Sequence, residues 1–232
     1  MRFVPHRIYA QAIAFHPNGV KAREISMSRF NWPSDREAVV AHFQDRHPSN
    51  EGHALLNHAF YAVDALHYLA YVDASFETTR NAGDHDSDVV DVAHARWAAS
   101  TAITALDLVA AAFGRCLGNH RRTKELDFGS FTTSKPSTNL QAVLDRIPLQ
   151  AKKWISNVQK DSDFHAVSEA RDALIHRRLP RTLYMSFVPG IVAPRLELNI
   201  GGSNIPAGEL VMRCRDFTTR HLVELLKILP AL

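Results

Sequence analysis

Arg171, Asp172 and His176 are the residues of this sequence whose types and spacing could do chemistry. They fall in the stretch from Glu169 to Leu179, EARDALIHRRL, which reads as the last turns of an amphipathic helix. Asp172 precedes His176 by four residues, so the carboxylate and the imidazole share a helix face, and Glu169 extends it. Arg171 stands five residues before His176, about 140° around the axis, and adds a guanidinium at the flank. A neutral imidazole can take the proton of a ribose 2′-hydroxyl, and a charged one can protonate a leaving 5′-oxygen. The guanidinium can grip a phosphate through two hydrogen bonds and stabilise charge growing on its oxygens. Asp172 can orient the imidazole or tune its pKa. Together these are the requirements of RNA cleavage without a metal. Arg177, Arg178 and Arg181 follow and extend a surface for the phosphate backbone.

Spacing alone does not single out this triad. The 20 Arg and 13 His of the 232 residues would give roughly one Arg-x4-His pair by accident, and the sequence holds three. Arg80 and His85 span Asn81-Ala82-Gly83, which reads as a turn between helices. Arg115 and His120 straddle Gly118-Asn119, which reads as a helix end. The pair at 171 and 176 is the copy expected inside an uninterrupted helix.

In that setting the stretch Arg171-Asp172-Ala173-Leu174-Ile175-His176 resembles the HEPN superfamily, whose late helix carries Arg, a polar residue, three variable residues and His. The resemblance covers about ten residues strongly, together with an order of long helices before the motif. It implies a helical bundle and a metal-independent endoribonuclease with no cofactor, in toxin or phage-defence function. It also implies a homodimer with the site at the interface, RNA as partner, and an antitoxin or other regulatory protein as a further one. Members that bind RNA, nucleotide or protein without catalysis make a non-catalytic binding module the alternative reading.

A second constellation competes. His53, His58, Asp64 and His67 fall on one expected long helix, and His85, Asp86, Asp91 and His94 on or near the next. Antiparallel helices could bring such side chains around a divalent ion for phosphoester hydrolysis. However, His53 and His58 are five apart, not the three or four that stack two ligands on one face. Exposed helix positions are the better reading, and no metal is expected. The basic run of Arg115, His120, Arg121, Arg122 and Lys124, followed by Phe128 and Phe131, could guide single-stranded RNA by charge and stacking. Trp97 and Trp154 read as core residues. No phosphate-cradling glycine loop, nucleophile elbow or Cys-x-x-Cys pair is present.

The elements that would position these residues are mainly helical. Residues 7–30 read as a β-hairpin about Asn18-Gly19. Ser34 with Glu37 predicts a capping box for a helix reaching about His47. Two long helices follow, from Glu51 to about Arg80 and from Asp84 to about Leu117, as an antiparallel pair. Thr138 with Gln141 opens another helix, interrupted at Pro148 and ending near Lys160. Asp161-Ser162-Asp163 caps the motif helix, whose Phe164, Val167, Ala170, Leu174 and Ile175 face the core. Beyond Pro180, LYMSF, RLELNI and ELVMRC read as strands turned at Pro189-Gly190 and Gly201-Gly202, before a last helix from Thr218 to Leu229. The expectation is one domain over 1–232, a HEPN-like bundle with a small antiparallel sheet. Residues 1–33 supply a hairpin to that sheet, 34–179 the bundle, and 180–232 strands and the terminal helix.

Bulk composition fits a globular chain, with 46% apolar and 22% charged residues. The net charge of +3 permits a polyanionic partner without arguing for one. Cys116 and Cys214 lie too far apart for a metal pair and read as free thiols of a reducing cytoplasm. MRFVPHRIYA lacks the apolar core of a signal peptide, and the most apolar run, Trp97 to Phe113, falls short of the roughly 20 residues of a bilayer span. A soluble cytoplasmic protein without membrane partners is expected.

Overall fold

The computed structural model describes residues 32–79, 85–118, 126–131, 135–175, 184–185 and 196–232, excluding the side chains of 77–79, 85–87 and 184–185. Within them the chain is mainly helical, with a small antiparallel sheet. Helix α1 (Arg36–Arg46) leads into α2 (Asn50–Thr79) and α3 (His85–Cys116). After a short 3-10 turn (Phe128–Phe131) come α4 (Thr138–Arg146), α5 (Leu149–Lys160) and α6 (Ser162–Ile175). Strands β1 (Tyr184–Met185), β2 (Leu196–Ile200) and β3 (Ser203–Pro206) precede α7 (Ala207–Ile228).

The two long helices form the expected antiparallel hairpin. Arg115 bridges Glu51 at one end, and His94 Nδ1 meets Asp73 Oδ1 at 2.7 Å toward the other. Helix α3 is the central post because its sequence is apolar around most of its circumference, and such a helix must be covered on several sides. Ala95, Ala98, Ala99, Ala102, Leu106, Val109 and Phe113 are all buried, and the alanines let α2, α6 and α7 approach closely. Asp88–Cys116 is long and apolar enough, by length and composition, to cross a membrane, beyond the shorter run noted above. Yet 67% of its most apolar window is buried in the bundle, as a core helix requires.

One segment departs from the period-two reading. ELVMRC lies in the first two turns of α7, not in a strand. Pro206 precedes the helix, where its fixed φ and missing N–H do no harm, and Leu210, Val211, Cys214, Phe217, Thr218, His221, Leu222, Leu225 and Leu226 are buried at helical spacing. Six residues are too few to separate the two periods, and the stripe becomes legible only across the whole helix. The third strand is instead Ser203–Pro206, paired with β2 from Glu197↔Pro206 to Ile200↔Ser203. Leu196, Leu198 and Ile200 alternate inward as expected, and Gly201 and Gly202 make the turn with φ of 60° and 82°, which glycine adopts freely. The described sheet is built from the C-terminal third alone. The hairpin expected at 7–30 lies outside the described residues.

Two caps also differ. At α1, Asp35 occupies the N-cap with no side-chain hydrogen bond, and the turn is closed by Arg36 N donating to Pro33 O at 2.9 Å. The Ser34–Glu37 box does not form. At α4 the cap is Ser137, one residue before the expected Thr138, and its Oγ accepts from Leu140 N at 3.3 Å. Pro148 separates α4 from α5 as its sequence position predicts.

Candidate functional site

Helix α6 carries Arg171 and Asp172, and the local sequence fixes it firmly. Asp161 caps it, its Oδ1 accepting from Asp163 N at 3.0 Å. Val167, Ala170 and Leu174 are buried against the bundle, while Phe164 and Ile175 are half-buried. Phe164 packs between the rings of Phe128 and Phe217.

On the outward side, Arg171 Nη1 donates to Asp172 Oδ1 at 3.1 Å, with the two side chains 37% and 48% exposed. The guanidinium is therefore within reach of solvent and held by its sequence neighbour. Asp172 is thus engaged by Arg171, while the imidazole it is expected to serve lies outside the described residues. His176, Arg177, Arg178 and Arg181 lie outside the described residues, as do His120, Arg121, Arg122 and Lys124. Of the two other Arg-x4-His copies, Arg115 sits at the end of α3, bonded to Glu51 of α2. Arg80 lies outside the described residues and His85 is described in its backbone alone.

A carboxylate that spacing did not single out joins this region. Asp107, on the central helix, accepts from Phe128 N at 2.8 Å. Burial raises its pKa above the ordinary value and the Asp127 charge adds to that, opposed by the Phe128 hydrogen bond and by the positive charge of Arg171. The signal for it was present, since one carboxylate interrupting the most apolar stretch of a sequence must meet a donor or a cation in the fold. Glu169 also has a placed role. Its carboxylate lies against Gly201 in the β2–β3 turn, where a Cβ would collide with it.

The N-terminal end of α6 is clamped to α7 by ions. Arg220 Nη2 donates to Asp161 Oδ2 at 2.6 Å and to Asp163 Oδ2 at 3.1 Å, while Arg213 Nε lies 3.5 Å from Asp163 Oδ1. His221 Nε2 bonds the same Asp161 oxygen at 2.8 Å. Burial works to raise the Asp161 carboxyl, but the Asp163 N–H, Arg220 and His221 together hold it below the usual carboxylate value. Burial lowers the His221 imidazole, against the partial support of Asp161. Trp154 Nε1 donates to His221 O at 2.9 Å, tying α5 to the same point.

The members of the competing metal constellation whose side chains are described are dispersed. His53 Nε2 lies 2.7 Å from His47 O at the start of α2, and Asp64 accepts from Trp32 Nε1 at 2.9 Å. His67 bonds Thr219 at 2.9 Å, His58 stacks loosely near Tyr61, and His94 is taken by Asp73. Asp91 is buried. Among the described residues no three His, Cys, Asp or Glu side chains come together as a metal would need. Trp154 is a core residue as expected. Trp97 is not, being 57% exposed beside His94. Cys214 is buried and Cys116 half-buried, both free thiols pushed up by burial to about 12 and about 11. Neither is a ready nucleophile at those values.

The chain matches no protein-family model, no curated protein and no solved structure.

Proposed function

We propose that this protein is a HEPN-like, metal-independent endoribonuclease acting as a homodimer, with Arg171 and His176 as its working pair. The observation that carries the reading is the half-exposed Arg171 guanidinium on a late, anchored bundle helix, five residues before a histidine in sequence. A guanidinium buried in the core or locked to another element would not be available to a phosphate. In the proposed reaction His176 takes the proton from a ribose 2′-hydroxyl, and the 2′-oxygen bonds to phosphorus. The bond to the 5′-oxygen breaks, and that oxygen takes a proton from an imidazolium, here the same residue of a facing copy. The products are a 2′,3′-cyclic phosphate and a 5′-hydroxyl. Arg171 stabilises the negative charge on the equatorial oxygens as it grows. Asp172 holds Arg171 until substrate arrives, and the 3.1 Å contact is loose enough to exchange for phosphate oxygens. Arg177, Arg178, Arg181, Arg121, Arg122 and Lys124 hold the RNA backbone. A cytoplasmic toxin or phage-defence role, restrained by an antitoxin or other regulatory protein, completes the proposal.

The test is cleavage of single-stranded RNA in the presence of EDTA, with His176→Ala and Arg171→Ala beside the parent protein. Each substitution is expected to lower the rate about a hundredfold or more, with circular dichroism unchanged. Undiminished cleavage by His176→Ala removes that residue from the mechanism. Loss of all activity on adding EDTA assigns the reaction to a metal.

A further inference from the structure

The positive charge of this chain is concentrated in one place. Residues 135–160 hold Lys135, Arg146, Lys152, Lys153 and Lys160 against the single acid Asp145, a balance of +4. The total is +3, so the other 206 residues together carry −1. The whole excess therefore sits on α4, α5 and the residues leading into α4. All five cations are exposed, and none makes an ion pair among the described residues. Asp145 is occupied on its own helix, its Oδ1 accepting from Gln141 Nε2 at 2.6 Å. The contrast begins one residue past α5, where Asp161 and Asp163 are paired with Arg220 and Arg213 of α7.

Helix geometry gathers the lysines of α5 on one side. Ala151, Trp154, Ile155 and Val158 are buried against the bundle. At 3.6 residues per turn, Lys152, Lys153 and Lys160 fall within an arc of about 100° opposite that buried stripe. Ser156 lies within the same arc, and the ends of the row, Lys153 and Lys160, stand about 10 Å apart along the axis. Arg146 Nη1 donates to Gly118 O at 3.2 Å, so the start of this face adjoins the chain position that leads in sequence to Arg121, Arg122 and Lys124.

We propose that the outward face of α4 and α5 is a docking surface for the sugar–phosphate backbone of a nucleic acid, held without regard to base sequence. Lysines are flexible point charges that fix a backbone in place, and hydroxyl and amide side chains such as Ser156 and Asn157 donate to phosphate oxygens. A lipid surface fits less well. A helix that lies on a membrane turns an apolar face outward, whereas α5 spends its apolar face on the bundle and exposes only Leu149 as a large apolar residue. An acidic protein fits less well too, because the buried centres of protein interfaces are depleted in lysine. The inference rests on charge placement away from α6 and not on the Arg171 reading.

The test is fluorescence anisotropy of the full chain with a labelled single-stranded DNA, which has no 2′-hydroxyl and so reports binding without cleavage. Binding is expected, with an affinity that falls steeply as salt is raised. Replacing Lys152, Lys153 and Lys160 together by Gln should weaken it about tenfold or more at low salt and make the logarithmic salt slope shallower by about two. Because all three side chains are exposed, the melting temperature should not change. Arg96→Gln, an exposed cation of α3, should alter binding much less than Lys153→Gln although each removes one charge. Parent-like affinity and slope in the triple variant, or equal losses from Arg96→Gln and Lys153→Gln, overturn the proposal. So does binding of phosphatidylserine vesicles or polyglutamate as tight as that of DNA. Loss of DNA binding in the triple variant sustains it even if the protein cleaves no RNA, so the two readings fail separately.

Discussion

Asp107 shows how a single residue near the candidate site should behave. Its carboxylate is half-buried on the central helix, raised above its ordinary value chiefly by burial, and bonded to Phe128 N. A folded-state pKa above the unfolded one means that the folded protein binds more protons in that interval, so this group favours the fold less as pH rises through its folded value. Asp107→Asn keeps an oxygen for the Phe128 N–H and removes the buried charge. The variant should therefore melt at a higher temperature than the parent at neutral pH. The difference should vanish as the pH falls toward the ordinary carboxylate value of 3.8, where the parent is protonated too. Thermal melts across pH check this, and a constant difference would remove burial as the cause. At this scale the sequence is unevenly legible. Arg171 and Asp172 stand out by type and spacing, but their pairing with each other depends on rotamers that spacing does not set. Trp97 is exposed against expectation, because helical periodicity does not say which stripe of a helix meets neighbours when most of its residues are apolar.

At the scale of elements, α6 is held at two points that differ in their chemistry. Its start is an ionic clamp on α7, and its later turns press Glu169 onto the β2–β3 turn. The clamp is acid-sensitive by sign. His221 has a lowered pKa, so between its folded value and the ordinary 6.5 the unfolded chain binds more protons, and stability falls as the pH drops below 6.5. Asp161 is also lowered, and its contribution is lost on further acidification below 3.8. His221→Gln should flatten the first part of this decline, as read by denaturant midpoints at several pH values. An equal slope in parent and variant would clear His221 of the effect. The turn gives a separate prediction. Gly201→Ala must accept a left-handed backbone, costing about 1–2 kcal/mol, and must also displace Glu169. A loss of at least that size is expected in chemical denaturation, whereas Gly202→Ala meets no neighbour and should lose only the backbone part. Long helices were the most legible elements, because α2 and α3 repeat their pattern over many turns. The ELVMRC segment was not, since its identity depends on a stripe continuing to Leu226.

For the whole molecule, the question is what closes the bundle once α2, α3 and α7 have packed. Helix α1 contributes little apolar surface of its own, burying Val40 and Phe43. Its far end is stitched to the end of the sequence described here, where Arg46 Nη1 donates to Pro230 O and His47 Nε2 bonds Leu232 O, each at 2.9 Å. Leu232 itself is buried, as is Leu229 in the last 3-10 turn. None of this long-range closure was legible in the sequence, because the bonding partners are separated by more than 180 residues and use backbone oxygens common to every residue. Removing residues 230–232 deletes two hydrogen bonds, each contributing about 1 kcal/mol net, and the burial of one leucine, about 1.5–3 kcal/mol. A loss of roughly 3–5 kcal/mol is expected in urea melts. The loss should be regional in the native state. Amide hydrogen exchange should quicken along α1, while α3 keeps its protection because its alanine contacts with α2, α6 and α7 are untouched. Equal acceleration in α1 and α3 would mean that the bundle opens as one unit.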